Sequence, residues 1–238
     1  FPTSKLLWFF HRTNVERAQS RECGMPATLD LRVVELLASR LCHDLISPVG
    51  AVHNGMELLE EAPEDPDALQ DAVSLAGGSA RQASSLLQFY RIAYGHAGRR
   101  VLTDAEQMAE LAGNFASARK ATLTWPADSR WQDVSVDAAK LTLNLIGLGA
   151  EALPRGGDLT VGLTAMPESR PMVTAEGRDA RLSAANQAAL APEADPESLT
   201  PYTVHAHFTA RLAAVLDSRI TVETVRDGTV VLRAVAQA

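Results

Sequence analysis

"LCHDLISPVG" (residues 41–50) decides how the first half of this chain folds. From Thr28 to Ala62, Val34, Ala38, Leu41, Leu45, Pro48, Val52, Gly55 and Leu59 recur at alternating steps of four and three, with Leu37, Val49 and Met56 broadening the stripe. That rhythm lays one apolar seam along one side of an α-helix. Thr28 or Asp30 caps its start. At about 100° per residue, His43 lies roughly 200° from Leu41 and from Leu45, so it points away from the seam.

The companions of His43 on that face are Ser39 and Arg40 one turn earlier, Ser47 and Gly50 one and two turns later, and Asn54 beyond. They are small or polar and leave room for another molecule to approach. Pro48, five residues after the histidine, removes a backbone donor and bends the helix. Taken alone, such a histidine is a solvated surface residue. Its adjacent acid, Asp44, together with the proline and a paired-helix setting, makes it a candidate reactive group.

Outward from this helix, "APEDPD" (62–67) is a turn, and a second helix runs from about Asp67 to Ala97. Leu69, Val73, Ala76, Ala80, Ala83, Leu87, Tyr90 and Tyr94 repeat the four-three rhythm. Two long helices joined by a short turn make an antiparallel hairpin. A lone hairpin leaves apolar seams uncovered, and pairing two of them into a four-helix bundle implies a homodimer. "AGGSA" (76–80) carries two glycines at ~1 kcal/mol each inside a helix, which calls for a packing or access reason.

"GHAGRR" (95–100) marks a boundary, beyond which the texture is mixed. Helices fit near 104–120, 136–153, 184–190 and 201–217. Strands fit "ATLTW" (121–125), "DLTVGLTAM" (158–166), "PMVTAEG" (171–177), "SRITVETV" (218–225) and "TVVLRAV" (229–235), with "RDG" (226–228) as a hairpin turn. Helices on one face of a mixed sheet give a two-layer α/β sandwich. The fold class is thus α + α/β, with a helical hairpin at 25–97 and an α/β domain at 98–238. Residues 1–24, aromatic in "SKLLWFFHR" and then polar without a period, are read as an extension or a cloning-derived segment outside the fold. Their apolar stretch is too short for a secretion signal.

The 238 residues allow two modest domains, and 46% apolar content supports packed cores. A net charge of −7 argues against nucleic-acid binding. No apolar run approaches the ~18 residues of a membrane helix. Cys23 and Cys42 form neither a disulfide framework nor a zinc pattern, and Cys42 reads as a small packing residue. The expected location is the cytoplasm.

"HDLISP" resembles the H-box of two-component histidine kinases, in which the phosphorylated histidine is followed by an acidic residue and then a proline. The hairpin resembles their dimerisation and phosphotransfer domain, and the α/β part resembles their ATP-binding domain. The nucleotide motifs depart from that pattern. "NLIGLGAEALPRGGDLTV" keeps Asn144, Glu151, Ala152, Leu153 and Pro154 of the N-box, but Leu148 stands where the family has its Mg²⁺-holding asparagine. Leucine offers no oxygen to a hard cation. In "AEGRD" (175–179), Ala175 replaces the adenine-binding aspartate and Asp179 the last glycine. The stretch "SLTPYTVHAHFTARLAAVL" (198–216) lacks the glycines that cradle phosphates.

Losing all three argues against ATP binding. A degenerate ATPase-like domain beside "ASRLCHDLISPVGA" (38–51) is similar to the ChpT-type histidine phosphotransferases of alphaproteobacterial cell-cycle phosphorelays. The resemblance implies a dimer without ATP or any other cofactor. It implies uptake of a phosphoryl group from the receiver domain of a CckA-like hybrid kinase and delivery to CtrA-like and CpdR-like response regulators. Mg²⁺ would come from the partner receiver, and no membrane or nucleic acid would be bound.

On this resemblance His43 is the phosphoryl acceptor. Asp44 would accept a hydrogen bond from its Nδ1–H, directly or through water. Arg40 could hold phosphoryl oxygens or be a plain surface arginine, while Ser47 could act by its hydroxyl or its small size. Gly50 and Asn54 complete the receiver-facing strip. Two other readings stay open: an ATP-dependent sensor histidine kinase, and a non-catalytic pseudokinase scaffold. His53 reads as a surface or seam-edge residue and His96 as a residue of the domain boundary, while His205 and His207, two apart on different helix faces, offer no shared metal site.

Overall fold

The computed structural model describes residues 30–61, 65–96, 104–127, 130–131, 134–165, 169–191 and 193–237. The expected segment 1–24 and the capping role of Thr28 lie outside them. Helix α1 (Leu31–Glu61) starts on Asp30, whose carboxylate accepts from the Arg32 N–H at 2.9 Å. It continues unbroken through Pro48, which is buried. Helix α2 (Pro66–Ala93) opens on Asp65, which accepts from the N–H groups of Asp67 and Ala68, with proline in its first turn.

The two helices run antiparallel. A Cβ on Gly55 would stand 2.9 Å from Ala76 Cβ, while Asp44 of α1 meets Tyr90 near the far end of α2. The packing reason behind "AGGSA" therefore resides in Ala76 pressed on Gly55. Nothing crowds Gly78, and only the tip of Arg81 comes near Gly77. Helix α2 ends at Ala93 rather than Ala97 because its last carbonyls are taken from outside the helix. Asn144 Nδ2 donates to Ala93 O at 3.0 Å, and Lys140 Nζ donates to Gly95 O at 2.8 Å.

The second half follows as α3 (Ala105–Ala118), β1 (Ala121–Thr124), α4 (Val136–Glu151), β2 (Gly157–Leu163), β3 (Pro171–Glu176), α5 (Ala184–Ala189), α6 (Val204–Val215), β4 (Ser218–Arg226) and β5 (Thr229–Ala236). The sheet order is β1-β2-β3-β5-β4, with β1 parallel to β2 and every other pair antiparallel. The β4–β5 turn at Asp227–Gly228 places Gly228 at φ +77°, as the "RDG" signal requires.

Helix α4 is the central beam. Every residue from Leu141 to Ala150 is buried, and a Cβ on Gly149 would strike Leu159 and Val173 of the sheet. The hairpin and the sandwich share one continuous core, to which Leu86, Phe89 and Ile92 contribute from α2. Phe89 stacks on Phe115 with ring centroids 3.7 Å apart, and full burial of such a side chain stabilises by about 1.5–3 kcal/mol.

Part of the expected seam stays open. Val34, Val49 and Met56 of α1 and Val73 and Leu87 of α2 are exposed, whereas Pro48, Gly55, Ala83 and Tyr90 are buried. The four-three rhythm therefore serves two faces, one inside the hairpin and one outside it. Cys42 is also exposed, so it is not the packing residue expected. Among the described residues no helix is long and apolar enough to cross a membrane.

Candidate functional site

His43 projects from α1 with 62% of its side chain exposed, on the face the helical periodicity assigns to it. Its Nδ1 lies 3.4 Å from Asp44 Oδ1, a long contact for a hydrogen bond. Among the described residues Nε2 has no hydrogen-bond partner. The ring of Tyr202, itself 65% exposed in the turn before α6, meets the imidazole edge-on at 5.5 Å between centroids.

Asp44 faces two ways. Its Oδ2 accepts from Arg119 Nη2 at 2.5 Å and from the Tyr90 hydroxyl, and Arg119 also donates to Tyr90 at 2.6 Å. Burial alone would raise the Asp44 carboxyl, but the Arg119 guanidinium and the Tyr90 hydroxyl outweigh it and hold the group below the usual carboxylate range. Burial and the neighbouring Asp44 charge push the Tyr90 hydroxyl well up, so it remains a donor. Arg119 caps the end of α3, so a residue of the α/β part holds the acid next to the histidine.

Arg40 does not join the open strip that Ser47, Gly50 and Asn54 form after His43. The residue is only 8% exposed, and its Nη2 lies 2.5 Å from Glu151 Oε1 while Nη1 donates to Pro201 O. One turn before His43 the helix side has rotated by some 60° toward the sandwich, and the long side chain reaches the buried carboxylate of α4 instead of solvent. The same Glu151 oxygen accepts from His205 Nδ1 at 2.7 Å, and its other oxygen accepts from Asn186 Nδ2 at 3.2 Å. Burial would raise Glu151, but His205 and Arg40 override it and keep the carboxylate ionised. His205 is depressed by burial despite its pairing with Glu151, so it stays neutral with the proton on Nδ1. A cavity of about 30 Å³, lined by Arg40, Tyr90, Arg119, Glu151 and His205, lies between the two polar groups.

The other expected residues divide plainly. Ser47 and Asn54 are exposed and Gly50 is half-buried, all within two to three turns after His43. A Cβ on Gly50 would meet nothing within 4 Å, so this strip of α1 is open to an approaching surface. His53 pairs weakly with Glu57 at 3.4 Å on the exposed helix surface. Sequence reasoning missed Arg119, Glu151, His205 and Tyr202 as neighbours of the histidine helix, and took Tyr90 for a seam residue only.

At the three nucleotide positions, Leu148 and Ala175 are fully buried in the core. The stretch corresponding to the phosphate loop forms a hydrogen-bonded turn, with the Thr203 and Val204 N–H groups donating to Thr200 O, and runs straight into α6. Asn144, retained from the N-box pattern, is the cap of α2 described above, and Glu151 is the partner of Arg40.

Comparison with known proteins agrees with this geometry. A family model described as histidine phosphotransferase C-terminal domain matches residues 103–228. The chain is 36% identical over 202 residues to protein phosphotransferase ChpT of Brucella abortus (strain 2308), covering 84% of this chain and 94% of that protein. A solved structure described as a bacterial phosphotransferase aligns with a TM-score of 0.69 at 33% identity, covering 89% of this chain and all of the other. This chain belongs to the histidine phosphotransferase family.

Proposed function

We propose that this protein relays a phosphoryl group through His43, from the receiver domain of a hybrid histidine kinase to the receiver domains of response regulators. The observation that carries the reading is an imidazole that projects from a helix, with a carboxylate on its Nδ1 side and an Nε2 that no described residue engages. With the Nδ1 proton directed at Asp44, the lone pair sits on Nε2. That nitrogen attacks the phosphorus of an aspartyl phosphate. The N–P bond forms as the P–O bond to the receiver's carboxylate breaks, and the carboxylate leaves with the electron pair. Asp44 neutralises the positive charge that develops on the ring. The reverse step onto a second receiver's aspartate discharges it. Phosphoryl transfer depends chiefly on positioning and charge neutralisation, and the receiver supplies its own Mg²⁺.

The chain acts without ATP. Leu148 and Ala175 supply no ligand where a nucleotide's metal and base would be held, and both are packed into the core. It acts as a homodimer, in which Val34, Val49, Met56, Val73 and Leu87 meet their counterparts across a four-helix bundle; their exposure in the single chain supports this. Incubation with a ³²P-labelled phosphorylated receiver domain should label the wild-type protein through an acid-labile, base-stable bond. His43→Ala should take up no label while keeping its helical circular dichroism. Label on the His43→Ala protein, or saturable ATP binding, contradicts the reading.

A further inference from the structure

The α/β part holds a carboxylate that touches the candidate acceptor. Arg119 ends α3, and its Nη2 reaches both Asp44 Oδ2 and the Tyr90 hydroxyl. Tyr90 itself donates to Asp44 Oδ2. One oxygen of Asp44 is thus fixed by two donors, and the geometry of a planar carboxylate then directs Oδ1 toward His43 Nδ1. The side chain of Asp44 is only 11% exposed against 62% for His43, so the anchored end is inside and the reactive end outside. An aspartate following a histidine in an isolated helix would swing freely in solvent. Here its two χ angles are set by residues from a second helix and a second domain.

We infer that Arg119, with Tyr90, is a positioning residue for phosphoryl transfer. By fixing Asp44 it selects the His43 tautomer with the proton on Nδ1 and so exposes the lone pair on Nε2. The α/β part thereby has a role in the chemistry even without a nucleotide. This rests on the reading of His43 as acceptor, and it assigns no contact between Arg119 and the phosphoryl group.

The tautomer is read directly. Protein with ¹⁵N-labelled histidine shows a distinct pair of ring nitrogen shifts for each tautomer, and the His43 signals are identified by their loss in His43→Gln. In the wild type above pH 8 the Nδ1–H form should dominate. In Arg119→Gln the His43 signals should move toward the Nε2–H form, and uptake from a phosphorylated receiver should slow at least tenfold. Tyr90→Phe keeps the buried ring, removes one donor to Asp44, and should shift both readouts in the same direction by a smaller factor. It carries the test if Arg119→Gln does not fold. Arg119→Lys, which keeps the charge, should recover part of the rate. Wild-type tautomer and rate in the folded Arg119 and Tyr90 variants overturn the inference. Failure of the wild type to take up label from the receiver would instead count against His43 as acceptor, and the tautomer measurement would still decide whether Arg119 sets the ring.

Discussion

Asp44 and Arg119 stand 75 positions apart in the chain, and their side chains meet at 2.5 Å. Removing the charge at Asp44 strands a mostly buried guanidinium, which in comparable pairs costs about 3–5 kcal/mol. Asp44→Asn should therefore unfold at markedly lower urea than the wild type. It should also slow phosphoryl uptake at least roughly tenfold, equivalent to about 1.4 kcal/mol of barrier. Equilibrium urea unfolding and label uptake, measured on the same preparation, check both halves.

Arg40 and Glu151 form a further ion pair between hairpin and sandwich. Arg40→Met should destabilise by about 3–5 kcal/mol, because Glu151 then keeps its charge in the interior with only His205 and Asn186 as donors. Adding Glu151→Gln to Arg40→Met should recover part of the loss. A double-mutant cycle of thermal unfolding measures the coupling, and simple additivity would contradict a direct pair.

Gly147 faces the ring of His205, and a Cβ there would stand 2.5 Å from Cε1. Gly147→Ala should push His205 away from Glu151 at a cost of about 1–3 kcal/mol, the usual range for overpacking. The Nδ1 proton of His205, protected by Glu151, should become visible to rapid solvent exchange in the variant. An unchanged signal would mean that α4 and α6 yield without disturbing the pair.

Stability should fall on acidification in two stages. Burial keeps His205, and to a lesser degree His207, below the ordinary imidazole value of 6.5. Both stay neutral in the fold, while the unfolded chain gains protons as the pH drops through 6.5, so folding is disfavoured there. Glu151 and Asp44 are held below 4.5 and 3.8, their ordinary values, despite burial. Their stabilisation is complete above those values and is lost as the pH falls through the lower folded-state ones. Melting temperatures from pH 8 to pH 3 should decline first below about 6.5 and more steeply below about 4.5. His205→Asn should flatten the first decline.

The open apolar face should hold two chains together. Val49→Glu with Leu87→Glu places charge on both helices of that face and should yield a monomer by sedimentation, with the sandwich still folded. A wild-type protein that sediments as a monomer at micromolar concentration would rule out the bundle.

The helix periods were legible because packing repeats them. The seam residues, the α4 beam and the β4–β5 turn all follow from local pattern, and so does the outward direction of His43. Arg40 was not legible. Helical geometry puts it near the histidine face, but its destination depends on Glu151, 111 residues away. Arg119 and Tyr202 carry no local signal at all, one sitting at a helix end and the other in a threonine-proline turn. The periodic seam also concealed a division, since a four-three rhythm does not say which apolar residue faces its own hairpin and which faces outward. Only the antiparallel contact through Gly55 and Ala76 separates them.

The stacked pair Phe89 and Phe115 has a mechanical consequence. With these rings inside one shared interior and the Arg40–Glu151 and Arg119–Asp44 pairs tying one side of the histidine helix to the sandwich, swinging the two halves apart would expose that core to water. If His43 is the acceptor, a fold closed in this way favours a phosphoryl donor that docks as a separate molecule over one carried on a swinging half of the same chain.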